Sequence, residues 1–371
     1  MRLSLILPLA LLPALSACGS KGPPPLPPLS QEALAAVVDK PGVDRETLAR
    51  AVDALFTDPA TSETRAVVVL HNGRIVAQRY EPGYHEHTRF VSWSMAKSIT
   101  GVMIGMLVSD GRLRLDEPVP IPAWQRPGDP RGEITLRQLL QMRSGLRHVE
   151  AGDPPYESDE VRMLFLDGRD DMARYAEDAP LAREPGRHFQ YSTSTSVILA
   201  DLAARVLAPG GDAEARRNAV STYLRTRLFQ PAGMTSMVPE FDAAGTMIGG
   251  SLIHGTARDW ARFGQFLLDK GSVDGAQIVP RGWIDFMTTP SPAEPDYGAQ
   301  IWLNRQPGKG EPLTLFPDRG PKDLFSAVGH LGQYVMVSPG QKLVVVRLGK
   351  TQDDKLRPVV DRLADLVHVF D

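Results

Sequence analysis

The sequence predicts an α+β fold: an antiparallel sheet assembled from the two ends of the chain, with a mainly helical stretch inserted between them. Three observations carry this. Strand patterns appear early, in residues 65–80, and return only after residue 297. The residues between, from 94 to 228, place apolar side chains at helical spacing, in segments broken by proline and glycine. With 42% hydrophobic and 23% charged residues among 371, the chain has apolar material for one large core shared by two lobes.

Taken in order, Asp44 caps a helix running through Phe56, with Leu48, Val52 and Leu55 on one face. Arg65 to Tyr80 forms a hairpin. Ala66 to Leu70 is its first strand, Asn72-Gly73 the turn, and Ile75 to Tyr80 the return. Helices follow over Ser94–Val108, Thr135–Met142, Asp170–Ala176, Thr195–Leu207, Ala215–Leu228 and Thr256–Asp269. Tyr297–Leu303, Ser326–Val337 and Lys342–Leu348 are strands, the last two joined at Pro339-Gly340, and Asp353–Phe370 is a closing amphipathic helix. This divides the body, residues 44–371, into a sheet lobe of about 44–93 and 245–371 and a helical lobe of about 94–244. The lobes meet where the insertion enters and leaves, a place where pockets form.

The amino terminus is of another kind. Arg2 precedes a short apolar stretch, Leu3 to Leu15, too brief to span a bilayer but suited to a signal sequence. Leu15-Ser16-Ala17-Cys18 then resembles a bacterial lipobox, with residues 1–18 as signal peptide and Cys18 as the acylated residue. Gly19 after the cysteine resembles the outer-membrane sorting pattern. Residues 19–43 begin Gly19-Ser20-Lys21-Gly22-Pro23-Pro24-Pro25 and are expected to form a stiff Pro/Gly-rich linker. The expectation is a periplasmic protein held to the outer membrane by lipid at Cys18.

Net charge is −3, with both signs mixed along the chain and no basic stripe, so nucleic acid is not an expected partner. A single cysteine excludes an internal disulfide framework. The histidines are scattered without an HExxH spacing, and His85-Glu86-His87 reads as a solvated loop, so no metal is expected.

The chemistry concentrates in Val91-Ser92-Trp93-Ser94-Met95-Ala96-Lys97-Ser98-Ile99-Thr100. Lys97 is the only charged residue between Val91 and Val108, in a helix apolar nearly all round. Burial and a helix amino terminus both disfavour an ammonium, which turns a lysine into a usable base. Ser94 stands three residues earlier on the same face and needs such a base, because a free hydroxyl is a weak nucleophile. Trp93 reads as a core residue.

A tyrosine follows in Phe189-Gln190-Tyr191-Ser192-Thr193, and a glycine-bearing segment in Gly329-His330-Leu331-Gly332-Gln333. Serine-x-x-lysine, then this tyrosine, then that strand is an order that resembles the serine β-lactamase and penicillin-binding-protein-like hydrolases. Three further segments extend the resemblance. Leu139-Leu140-Gln141-Met142-Arg143-Ser144-Gly145-Leu146 is similar to the family's LL-x-x-x-SGL. Leu228-Phe229-Gln230-Pro231-Ala232-Gly233-Met234 is similar to LF-x-P-x-GM, and Thr256 to Gly264 to TARD-x-ARFG. The resemblance is strongest to the class C β-lactamase-related branch, near the family VIII esterases and 6-aminohexanoate-dimer hydrolase.

That resemblance implies a β-lactamase/transpeptidase-like fold and cleavage through an acyl-enzyme, with no metal or organic cofactor. It implies Ser94 as nucleophile, Lys97 as base and Tyr191 as the carrier of a proton to the leaving group. The backbone N–H groups of Ser94 and Gln333 would form the oxyanion hole. Gly332 would let the strand backbone approach the substrate. His330 would line the binding site, its part in proton transfer left open, and Tyr156 is a further residue that could line the pocket.

Two departures from the family pattern bear on the substrate. His330-Leu331-Gly332 stands where Lys-Thr-Gly is common, and Tyr191-Ser192-Thr193 where class C enzymes carry Tyr-x-Asn. Both point to a small-molecule ester or open-chain amide. The rivals are a true β-lactamase or D,D-carboxypeptidase and, outside enzymes, a catalytically silent envelope-binding lipoprotein.

Overall fold

The computed structural model describes residues 28–310 and 312–371; Cys18, the signal segment and the start of the linker lie outside them. Helix α1 (Arg45–Thr57) starts at Asp44, whose carboxylate accepts the Thr47 N–H at 2.8 Å. Strands β1 (Glu63–His71) and β2 (Arg74–Tyr80) form the hairpin. Its turn residues Asn72 and Gly73 take φ of 51° and 74°, the left-handed pair a two-residue hairpin requires. A short strand β3 (Arg89–Val91) pairs antiparallel with β4 (Ile253–Thr256).

Between them lie helices α2 (Ala96–Ser109) and α3 (Thr193–Leu207), and α4 (Ala257–Leu268) follows β4 directly. Strands β5 (Trp302–Leu303), β6 (Phe325–Gly329), β7 (Gln333–Ser338) and β8 (Leu343–Lys350) complete the main sheet, and α5 (Leu356–His368) closes the chain. The main sheet has six strands in the order β2-β1-β8-β7-β6-β5 with every neighbour antiparallel.

Burial on both faces explains the near-continuous apolar runs of the central strands. Val67 and Val69 of β1 pack with Leu48 and Val52 of α1 and Leu363 of α5. Val68 and Leu70 face the other way, into the core that holds α4 and the helical insertion. Arg347, within β8, is wholly buried and has no carboxylate partner among the described residues. Its guanidinium donates to the Gly332 carbonyl at 2.8 Å, the Thr351 hydroxyl at 2.8 Å and the Thr64 hydroxyl at 3.1 Å, and burial pushes its pKa down to about 10. It thereby ties the β6–β7 turn to β1.

Four expectations are corrected. The linker ends well before residue 43: Gln31–Ala35 is helical, Ala33 and Val37 are buried, and Arg45 holds the Leu34 and Val37 carbonyls. Ser326–Val337 is two strands, because the backbone reverses through Leu331 and Gly332 at φ of 62° and 80°. Of Tyr297–Leu303 only the last two residues join the sheet; Ala299 and Gln300 donate instead to Met287 and Leu140 carbonyls. The Ala215–Leu228 helix is α-helical over Ala213–Leu224 and continues as a wider π turn through Phe229.

Candidate active site

Ser94 does not open the long helix, as its spacing predicts, but sits in a 3-10 turn, Trp93–Met95, between β3 and α2. The chain is clamped as it enters this turn. Ser92 N–H donates to the Ile253 carbonyl at 2.9 Å, and the Ser92 hydroxyl accepts from Ile253 N–H at 3.1 Å. Trp93 follows with φ of 45°, a left-handed conformation that is strained for a bulky residue. Its ring is only half-buried, so the expected core position is corrected: the backbone reversal that presents Ser94 turns the indole outward, edge-on to His330 at 5.2 Å.

Lys97 is 1% exposed and does not reach water. Its ammonium nitrogen lies 2.9 Å from Ser94 Oγ, 2.8 Å from Thr193 Oγ1 and 2.9 Å from the Gly250 carbonyl. Burial lowers its pKa, against the opposing charges of Glu150 and Glu160. Tyr191 brings its hydroxyl to Ser94 and packs its ring on Trp302 at 5.3 Å; Lys97 Nζ stands 4.8 Å from the ring centre. Burial, reinforced by Glu150, holds the Tyr191 proton well above its ordinary range. The fold thus brings Ser94, Lys97 and Tyr191 together from the amino end of α2 and the entrance to α3.

Three positions that the structure brings to Lys97 escape sequence reasoning. Glu150 and Glu160 come from the loop and short helix after Ser144-Gly145-Leu146, and no spacing rule links them to Lys97. Thr193 stands out in the sequence only as the residue in place of the asparagine of Tyr-x-Asn, yet its hydroxyl is fully buried and contacts Lys97 rather than the cleft. Glu150 accepts the Thr193 hydroxyl at 2.6 Å, the Thr193 N–H at 2.7 Å and His148 Nε2 at 2.5 Å. Burial works against ionising Glu150, but the His148 hydrogen bond and the Lys97 charge outweigh it and keep its pKa low. Glu160, mostly buried beside it, is pushed up to about 7 by burial and by the Glu150 charge.

The last shift has a measurable consequence. The unfolded chain releases the Glu160 proton near the ordinary glutamate value of 4.5, while the folded protein keeps it to about 7. Stability from this group is therefore present at low pH and is lost as pH rises between those values. Glu160→Gln mimics the protonated acid. It is expected to leave the melting temperature unchanged at pH 5 and to raise it at pH 8, as thermal unfolding at the two pH values would check.

The third motif is placed differently from expectation. His330 lies at the β6–β7 turn, its Nδ1 3.2 Å from Asp353, which raises its pKa against the effect of burial. Gly332 is needed for its left-handed φ and because a Cβ there would lie 2.6 Å from Arg347 Nη1, not for approach to a substrate. Gln333 cannot supply an oxyanion donor. It opens β7, one strand in from the site, its backbone paired with Gly329 and its side chain bonded to Gly349.

Strand β6 instead borders the nucleophile turn: a Cβ at Gly329 would collide with the Ser92 carbonyl. Asn304 N–H donates to Leu324, and Trp302 stands opposite Ser326. By the alternation of antiparallel bonding, Val328 then turns its N–H to the open edge beyond β5. Beside Tyr191 opens a cleft of about 640 Å³ lined by Phe189, Trp302, Arg183, His188, Glu294 and Asp296. Tyr156 is 62% exposed and lies outside that lining.

Comparison with known proteins agrees with the fold. The family model described as Beta-lactamase matches residues 52–369. A 6-aminohexanoate-dimer hydrolase of Paenarthrobacter ureafaciens is 25% identical over 313 residues, 79% of this chain and 74% of that protein. An esterase, EstB, of Burkholderia gladioli is 32% identical over 179 residues, 42% of this chain and 45% of its own. The crystal structure of a family VIII carboxylesterase superposes with a TM-score of 0.64 at 16% identity, covering 88% of this chain and 97% of that one.

Proposed function

The chain belongs to the beta-lactamase family, and from that membership we propose that it is a serine hydrolase that cleaves an ester or open-chain amide through an acyl-enzyme on Ser94. The observation that carries the reading is the contact of a buried lysine with that serine, 2.9 Å from Nζ to Oγ. A buried amine with a lowered pKa takes the hydroxyl proton as Oγ attacks the carbonyl carbon. The oxyanion that forms meets the Ser94 N–H and a backbone N–H from the open edge of β6, a pair of fixed donors. Tyr191, protonated and beside Ser94, passes a proton to the departing alcohol or amine. Water then attacks the acyl-enzyme by the reverse proton path, releasing the acid and restoring Ser94.

The third motif weighs against β-lactams and peptidoglycan stems as substrates. His330 is engaged with Asp353, and no lysine stands there to hold a substrate carboxylate. A silent binding scaffold is disfavoured by the cost of burying Lys97 for no chemical purpose. We read the protein as lipid-anchored at Cys18 on the periplasmic side of the outer membrane, from the Leu15–Cys18 segment. Turnover of p-nitrophenyl butyrate, a linear p-nitroanilide and nitrocefin by the purified protein tests the substrate class. The ester or anilide is expected to be cleaved with the higher kcat/KM. Faster cleavage of nitrocefin would move the assignment to a β-lactamase, and inertness to all three would remove the hydrolase reading.

A further inference from the structure

Lys97 has three hydrogen-bond partners, and counting their protons shows what Glu150 does. As a base, Lys97 is neutral and carries two N–H bonds and one lone pair. The Gly250 carbonyl, 2.9 Å away, can only accept, so it takes one N–H. Thr193 Oγ1, at 2.8 Å, could either accept the second N–H or donate its own proton to the lysine lone pair. Only the first choice leaves the lone pair facing Ser94. The second would spend the lone pair on Thr193 and aim an N–H at the nucleophile, a dead arrangement for proton abstraction.

We propose that Glu150 is a positioning residue that, by accepting the Thr193 hydroxyl at 2.6 Å, makes Thr193 an acceptor and so directs the Lys97 lone pair to Ser94 Oγ. The inference rests on the serine-hydrolase reading of the same site. Glu150 is itself fixed, its other oxygen taking the Thr193 N–H at 2.7 Å and His148 Nε2 at 2.5 Å. The asparagine common at the Thr193 position in class C enzymes carries an amide oxygen that can only accept. A threonine hydroxyl can do both, and the carboxylate removes the ambiguity. The proton step is simple: the Ser94 O–H bond breaks, the Nζ lone pair takes the proton, and the resulting ammonium keeps all three partners.

The charged and titratable groups facing Glu150 are Lys97, His148, Glu160, Tyr191 and Tyr297. Glu160 lies 3.5 Å from Thr193 Oγ1, too far to compete with Glu150 for that proton. Glu150 also raises the Lys97 pKa by its charge. Its removal must then lower that pKa, so that the base becomes competent at lower pH.

The test measures acylation of the whole protein by a fluorophosphonate across pH, with Glu150→Gln, Thr193→Val and Thr193→Ser. Glu150→Gln is expected to cut the acylation rate about 10- to 100-fold, as misaimed catalytic groups do, and to move the acidic limb to lower pH. Thr193→Val should show a similar loss, and Thr193→Ser should recover most of the wild-type rate. An unmoved limb with a wild-type rate in Glu150→Gln overturns the proposal. So does a Thr193→Ser variant as slow as Thr193→Val while both melt like the wild type, since the hydroxyl would then not be what matters. Absence of any adduct on the wild-type serine is a different result, which overturns the hydrolase reading and this inference with it.

Discussion

Ser94→Ala is expected to abolish the acyl adduct seen by intact mass and to lower ester turnover by on the order of 10⁴-fold or more. The size follows from what alanine removes. Lys97 keeps its Thr193 and Gly250 partners, Tyr191 keeps its packing on Trp302, and the cleft keeps its walls. The backbone N–H groups proposed to hold the carbonyl oxygen are untouched, so weak hydrolysis by water is expected to persist above the uncatalysed rate. No acyl-enzyme can form at residue 94, and the other hydroxyl beside Lys97, that of Thr193, is fully buried and committed to Glu150. Ser98 donates to the Gln300 carbonyl and is buried on the far side of the turn. Retention of the adduct in Ser94→Ala would mean that the nucleophile lies elsewhere.

Lys97→Met is expected to slow acylation by about 10³- to 10⁴-fold, the upper part of what a positioned base contributes, while the protein still folds. Methionine has nearly the length of the lysine stem, carries no charge to desolvate, and is flexible enough to pack beside the Tyr191 ring. It ends the desolvation cost of the amine but leaves the Gly250 carbonyl and Thr193 hydroxyl with one partner fewer. Those effects on stability oppose each other, so the melting temperature should shift little. The activity should not survive, since Tyr191 holds its proton too firmly to replace the base. A Lys97→Met protein that acylates at the wild-type rate would transfer the role of base to Tyr191.

What was legible in the sequence was local. Asn72-Gly73 specifies a hairpin because that turn needs two left-handed residues, and Asp44 marks a helix start because its carboxylate meets an orphan N–H. Ser94 and Lys97 could be paired because they are one helical turn apart, and Tyr191 through the resemblance its segment carries. The β6–β7 reversal was less visible. Apolar residues run on both sides of His330-Leu331-Gly332, and Arg347, whose guanidinium holds the turn carbonyls, comes from a strand formed later in the chain.

By itself the sequence set the strand-helix-strand order, singled out Ser94, Lys97 and Tyr191, and marked the apolar helix in which the lysine is buried. Each is set by interactions within a few residues or by composition along one element. Only the tertiary structure decided that β6 borders the Ser94 turn, that Gln333 is paired with Gly329 inside the sheet, and that Glu150 stands behind Thr193. Those depend on strand register and on contacts between residues more than 40 positions apart. The physical reason is that a hydrogen bond has a direction as well as a partner, and the directions are set when the lobes pack together.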